Sequence, residues 1–284
     1  MSNYVSFDLG GTKLLMCYEY EGKRYTEKVP SGDDAGPKEI QKLVHDLLKK
    51  VPFKPKHIGM AVPGLIENGV LIRADNSPQM EGLSEEMLNI DGSIFHFIND
   101  GKAAIYAEAE HYPKDTSLIV FVVGTGLGCG IKSNGTFVDG DKGFSTEAGH
   151  IPMFIGNPDC ENMEDSVQLS DDFVSGAALL KEMNCDAPTF HRLLEENDSK
   201  ALSVIRKGGF FFGLVIASMI NLFNPKHIVI GGSTATYKGY LERAKEIAQK
   251  YSLPNNWESV EFHDPFDLPR IVIDGAAAFG RTFE

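Results

Sequence analysis

The chain has 284 residues with a net charge of −13, from 27 Lys and Arg against 40 Asp and Glu. That charge argues against nucleic acid as a partner, because no basic stripe is available to displace phosphate counterions. The length accommodates two domains of roughly 100–170 residues, each with its own core. No run of about 18 apolar residues and no basic-then-apolar leader is present, so the expectation is a soluble cytoplasmic protein with no membrane partner. The four cysteines (Cys17, Cys129, Cys160 and Cys185) form no CxxC pair and read as free thiols of a reducing compartment.

From the N-terminus, residues 3–9 alternate into a strand that runs into Asp8-Leu-Gly-Gly-Thr-Lys13, a glycine turn with a carboxylate just before it. Residues 14–20 return as a second strand, and Glu21-Gly22 turns into a third over 24–29. Ile40, Leu43, Val44, Leu47 and Leu48 recur at helical spacing behind Pro37, predicting an amphipathic helix over 38–50. Residues 58–64 form a buried strand ending at Pro63-Gly64. The segment 65–82 that follows contains Asn76, which reads either as a pocket residue or as a turn residue beside Ser77-Pro78. Residues 95–98 lead straight into Asn99-Asp100, with a helix over 102–111. A carboxylate at this position serves either as a helix N-cap or as a catalytic base.

A second strand, centred on Val120-Phe-Val-Val123, enters Gly124-Thr-Gly-Leu-Gly-Cys-Gly130, with Gly124, Gly126, Gly128 and Gly130 at alternate positions around Thr125. Alternate glycines permit positive φ and remove the Cβ atoms that keep an anion away from backbone N–H groups. The competing reading is a glycine-rich hairpin. With the Asp8–Lys13 turn, the repetition suggests two similar halves that grip one nucleotide. Neither turn is a P-loop or a dinucleotide fingerprint, since both spacings are absent.

Further along stand Glu147-Ala-Gly-His150, Asp171-Asp172 ahead of a helix, and an apolar helix over 201–223 that Gly208-Gly209 would kink or break. Asn221-Leu-Phe-Asn-Pro225 closes it, and a strand over 228–230 enters Gly231-Gly232. A surface helix is expected over 240–251, a last strand over 271–273, and a small-residue helix over 274–283.

These motifs, in this order, resemble the ROK family of sugar kinases and sugar-responsive repressors, within the actin/hexokinase-like ATPase superfamily. The resemblance covers residue 4 to the Gly275-Ala-Ala-Ala278 segment. It implies an α/β protein of two actin/ribonuclease-H-like domains with a nucleotide and sugar cleft between them. The expected boundaries are 1–113 and 114–273, with the helix 274–284 returning to the first domain. It also implies an ATP-dependent kinase in which Asp100 is the general base, Asn99 and Glu147 bind sugar, and Asp8 holds Mg²⁺ through water. ATP would lie against Asp8, Gly10, Gly11, Thr12, Lys13, Gly124, Thr125, Gly126, Gly128, Gly231 and Gly232. His150 stands where many members place a zinc ligand beside three cysteines. Here the adjoining segment 156–165 contains only Cys160, so no zinc is expected there and His150 reads as a sugar-pocket or structural residue. Asp171 matches a sugar-binding glutamate of the family but is one methylene shorter, and an N-cap role competes. Asn76 is the remaining candidate sugar contact. Glucose leads as substrate, followed by N-acetylmannosamine or N-acetylglucosamine, and a homodimer is the family expectation. The repressor reading falls with the negative charge and the three residues ahead of the first strand; a non-catalytic sugar-binding relic is the remaining alternative.

Overall fold

The computed structural model describes residues 3–32, 34–74, 77–156 and 166–284. The chain divides into two compact units. One comprises Met1–Lys114, Val138–Ser145 and Phe266–Glu284, and the other Asp115–Phe137 with Thr146–Pro265.

The first unit is built on a five-stranded sheet. Strands β1 (Tyr4–Leu9), β2 (Lys13–Tyr20) and β3 (Lys23–Pro30) form an antiparallel meander. Helix α1 (Pro37–Leu48) follows, then β4 (His57–Val62), a small hairpin of β5 (Leu65–Glu67) and β6 (Val70–Arg73), α2 (Glu85–Leu88), β7 (Ile94–Asn99) and α3 (Asp100–Ala109). The sheet order is β3-β2-β1-β4-β7, with β1, β4 and β7 parallel. Helix α1 begins at Pro37, its Gly36 N–H donates to Glu39, and it buries Ile40, Val44 and Leu47 at i, i+4 and i+7. Val5, Phe7 and Leu9 point into the same core, whereas Tyr4, on the other face of β1, packs with Cys17, Ile273 and Ala277.

The second unit repeats the plan. Strands β8 (Leu118–Val123), β9 (Leu127–Ser133) and β10 (Thr136–Phe137) are antiparallel. Next come β11 (Pro152–Phe154), β12 (Val167–Leu169), and helices α4 (Asp171–Val174), α5 (Gly176–Met183), α6 (Ala187–Glu195) and α7 (Ser199–Phe223). Strand β13 (His227–Gly231), α8 (Tyr240–Tyr251), α9 (Pro254–Ser259) and β14 (Glu261–His263) complete it. The order β10-β9-β8-β13-β14, with β8, β13 and β14 parallel, matches the first sheet position for position. The sequence shows this duplication only as a repeated glycine turn.

Two sequence expectations change. Gly208-Gly209 neither break nor end α7, which runs 25 residues without interruption. These glycines instead bring helices together. A Cβ on Gly209 would lie 2.7 Å from the Tyr240 carbonyl oxygen of α8, and one on Gly213 would lie 2.6 Å from that of Ala244. By length and composition α7 could cross a membrane, but 61% of its most apolar window is buried inside the protein, as in a core helix.

The second correction concerns 271–273, which are the first turn of α10 (Ile271–Arg281) and not a strand. Three β-branched and apolar residues in a row carry no helical period of their own, so the preference for strand won on paper. In the structure Ile271 and Ile273 are buried on the helix, and Arg270 pairs with Asp274 at 2.9 Å. Helix α10 lies in backbone contact with the first unit. A Cβ on Gly59 of β4 would sit 1.8 Å from the Ala276 carbonyl oxygen, and one on Gly275 would sit 1.9 Å from that of Ala103 in α3. Neither neighbour is a movable side chain. Gly59→Ala is therefore expected to cost at least about 3 kcal/mol, read as a lower urea midpoint at unchanged slope. An unchanged midpoint would show that α10 gives way at no cost.

Candidate functional site

In the first unit, three parallel strands end side by side. Their carboxyl ends carry Asp8 and Gly10-Gly11 (β1), Pro63-Gly64 (β4) and Asn99-Asp100 (β7). In open α/β sheets this edge is where ligands bind. The Gly10 N–H donates to the Lys13 carbonyl at 2.9 Å, closing the turn. Among the described residues, no protein acceptor meets the N–H groups of Gly11 and Thr12. Asn76 lies outside the described residues; its neighbour Ser77 is buried, its hydroxyl 3.2 Å from where a Gly11 Cβ would be.

Asn99, not Asp100, is the N-cap of α3. Its Oδ1 accepts from the Lys102 N–H at 3.2 Å, and its Nδ2 donates to the Gly64 carbonyl at 2.9 Å. The cap reading of Asp100 is thereby overturned: Asn99 does that work and also ties α3 to the Pro63-Gly64 turn. Gly64 must be glycine, since its φ is +101° and a Cβ would lie 2.0 Å from the Arg73 carbonyl. Asp100 occupies the first helical position, and its carboxylate accepts from the Gly101 N–H at 2.8 Å.

The electrostatics single out the two carboxylates. Asp8 is pushed up to about 6, mainly by burial and then by the neighbouring Asp100 carboxylate, with Lys13 opposing both. Asp100 reaches solvent locally yet is surrounded by protein, and this loss of solvation raises its pKa despite the Gly101 N–H. A buried carboxylate whose proton affinity a second carboxylate raises is suited to a hard cation, which would relieve the repulsion.

In the second unit the Gly124–Gly126 loop joins β8 to β9, and the Gly124 N–H donates to the Gly126 carbonyl at 2.9 Å. Gly124, Gly126, Gly128 and Gly130 are not in the left-handed region, so the positive φ that these alternate glycines permit is not adopted. Absence of a Cβ is the remaining requirement: at Gly124 a Cβ would meet nothing within 4 Å. The loop is held from beneath. Its Gly124 carbonyl accepts from the Gly176 N–H at 2.7 Å and the Thr234 hydroxyl at 3.1 Å, and its Thr125 carbonyl from the Ala177 N–H at 3.3 Å. Thr125 and Gly126 are exposed, and among the described residues no protein acceptor meets their N–H groups. Gly128 lies in β9 and Gly231 ends β13, on opposite sides of Val122 of β8. Gly232 has φ +103° and passes within 2.2 Å of Val123 O at the position of a Cβ, so this turn also admits only glycine.

Asp171 is the first residue of α4, and Ser170 is the cap position, so the cap reading is overturned here too. Its Oδ1 accepts from the Leu127 N–H at 2.8 Å, immediately after the glycine loop. Burial raises its pKa, opposed first by that N–H and then by His150. Glu147 and His150 are exposed, with Oε2 and Nδ1 3.7 Å apart, so His150 is no satisfied core histidine. The segment 157–165, with Cys160, lies outside the described residues.

Two features escape sequence reasoning. Thr146, directly before Glu147, has φ +67°, a conformation costing a β-branched residue about 1–3 kcal/mol. Lys102 is buried on α3, its ammonium donating to the Gly143 carbonyl and lying 3.4 Å from the Ser145 hydroxyl. A β-branched residue shows no turn preference in sequence, and a lysine on a helix reads as solvated.

Comparison with known proteins first defines the class. A ROK hexokinase from Thermus thermophilus superposes with a TM-score of 0.83 at 24% identity, covering 99% of both chains. A ROK family glucokinase from Streptomyces griseus, solved with glucose and AMPPNP, gives 0.76 at 19%, covering 99% of this chain and 100% of that one. The fold is thus the two-domain actin/ribonuclease-H-like α/β fold. The ROK family model matches residues 4–280, and the chain belongs to that family. Among curated relatives, an N-acetylmannosamine kinase from Salmonella heidelberg is 25% identical over 263 residues, covering 88% of this chain and 89% of that one.

Two measurements probe this geometry. Asp8 titrates near 6 in the folded protein but near 3.8 as a free side chain, so the folded state holds its proton more tightly. Its ionisation therefore costs nothing below about pH 4, costs progressively more towards pH 6, and its full amount above. Asp8→Asn should raise ligand-free stability by up to about 3 kcal/mol near pH 7.5 and by nothing near pH 4, as measured by urea denaturation. Equal effects at both pH values would remove the carboxylate repulsion. Gly124→Ala, entering open space, should change stability by less than about 0.5 kcal/mol while raising the KM for ATP. An unaltered KM would show that no ligand approaches there.

Proposed function

We propose that this protein is an ATP-dependent sugar kinase that phosphorylates the 6-hydroxyl of a hexose. The observation that carries this reading is the Asp8–Asp100 pair at the strand ends beside an open glycine turn, in a chain of the ROK family. In this reading the backbone N–H groups of Gly11, Thr12, Thr125 and Gly126 bind phosphate oxygens, with the two threonine hydroxyls and Lys13 adding donors. Gly10, Gly128, Gly231 and Gly232 keep the backbone close to the nucleotide. Asp8 would hold Mg²⁺ through water, and the ion would supply charge neutralisation to the phosphates.

Asp100 accepts the proton of the attacking sugar hydroxyl. Its raised pKa makes it a stronger base than a solvated aspartate, provided it stays ionised. Asn99 has one amide hydrogen left after bonding Gly64 and can direct it to a sugar oxygen. Glu147 accepts from ring hydroxyls, assisted by His150 and Asn76. Asp171 acts differently from the family's glutamate: with its carboxylate on the Leu127 N–H, it positions the glycine loop and reaches sugar only through a second oxygen. Phosphoryl transfer needs mainly this positioning and charge balance.

Glucose and N-acetylmannosamine stand level as substrates. The glucose-bound Streptomyces griseus glucokinase supports the first and the Salmonella heidelberg kinase the second. A cytoplasmic homodimer completes the proposal, and the burial of α7 in the core supports a soluble enzyme.

A coupled ADP-release assay with Mg-ATP over glucose, mannose, N-acetylmannosamine and N-acetylglucosamine decides the substrate. Asp100→Asn should lower kcat by about 10²–10⁴-fold with sugar affinity retained. Turnover near wild type in that variant would exclude Asp100 as base, and silence over the whole panel would overturn the kinase reading.

A further inference from the structure

At the other end of β13 from Gly231, three side chains converge. His227 opens β13; Glu261 is paired directly opposite on β14, and His263 lies two residues on, on the same face. The His227 Nδ1 and His263 Nε2 atoms are 3.1 Å apart, and Glu261 Oε2 lies 3.5 Å from the first and 3.9 Å from the second. Zinc binds imidazole nitrogen and carboxylate oxygen at about 2.0–2.2 Å, so the edges of its tetrahedron are about 3.3–3.6 Å. The three observed separations bracket that value, and one ion between these atoms needs only small side-chain rotations. Among the described residues this is the one group of three His, Cys, Asp or Glu side chains whose donor atoms lie this close.

The duplicated fold contains its own control. In the first unit His57 opens β4, and His96 sits at the corresponding diagonal position on β7, with His57 Nδ1 and His96 Nε2 2.9 Å apart. There the residue opposite His57 is Ile94, which offers no ligand, and Phe283 stacks on the His96 ring at 3.6 Å. One pair is closed by an apolar neighbour and a ring. The other gains a carboxylate, while half of the Glu261 side chain faces solvent, leaving room for a fourth ligand.

We propose that His227, Glu261 and His263 bind a divalent transition-metal ion of the zinc type, which staples the three-residue edge strand β14 to β13. Two imidazoles and one carboxylate select borderline metals over Mg²⁺ or Ca²⁺, which prefer all-oxygen shells. Both rings remain neutral. His227 ligates through Nδ1 with its hydrogen on Nε2, and His263 through Nε2 with its hydrogen on Nδ1, so one ring changes tautomer. Lys226 holds the other Glu261 oxygen at 2.5 Å, leaving Oε2 for the ion in a monodentate mode. This site is separate from the His150 segment, and the proposal does not depend on the kinase reading.

The test is equilibrium dialysis with Zn²⁺ and visible spectroscopy with Co²⁺ on the full chain. Wild type should bind one Co²⁺ with the intense d–d absorption of a tetrahedral site, and Zn²⁺ should raise its melting temperature. His263→Gln and the surface-exposed Glu261→Gln should each weaken binding at least about tenfold, with metal-free melting checking that both fold. His96→Gln and His150→Gln should bind as wild type does. Absence of saturable binding, binding that survives both cluster variants, or binding lost with His150→Gln instead would overturn the proposal.

Discussion

Two carboxylates held against mutual repulsion set the terms for the rest of the first unit. Asp8 and Asp100 come from strands separated by β4, and only the parallel order β1-β4-β7 puts both at one sheet edge. That order requires crossovers, which α1 and the segment through α2 supply, and a tightly seated α10 covers the face of β1 that carries Tyr4. Asn99 then joins two of the three strand ends by a single side chain, bonding the β4 turn with one group and the start of α3 with the other. A site whose charges repel in the ligand-free state keeps part of its stability in reserve for the ligand that relieves them.

The second unit solves a different problem with the same sheet. Its glycine loop must expose N–H groups while staying in one place. Gly176, Ala177 and Thr234 take up the loop's carbonyls, and Asp171 takes the amide that follows, so only the outward-facing donors remain. The loop is held through its engaged carbonyls, not through special dihedrals of its glycines.

Legibility of the site in the sequence followed a simple division. Asp8, Asn99-Asp100 and the Gly124 loop were readable because each is a short run at a strand end, where local chemistry and position coincide, whereas Glu147-His150 stands out as a compact polar motif in a loop. The roles within those runs were less readable. Asp100 reads as cap or base, since neighbouring polar residues at a helix start both suit a cap, and the structure gives the cap to Asn99. Asp171 reads as a sugar contact or a cap, yet its partner is Leu127, forty-four residues away. Gly208-Gly209 reads as a helix break, because propensity is a property of the isolated helix, whereas in the protein α8 packs against those positions.

The sequence by itself determined the central strands and the long amphipathic helices, the family, and the short polar and glycine runs at the strand ends. These are encoded in periodicity and in runs of a few adjacent residues. Only the tertiary structure decided that the two sheets match strand for strand, that 271–273 begin a helix, that Lys102 is buried and that Thr146 is strained. It alone brought His227, Glu261 and His263 together. The reason is physical: parallel strand pairing and backbone-to-backbone helix packing join residues tens to hundreds of positions apart, and no local pattern records which strand lies beside which.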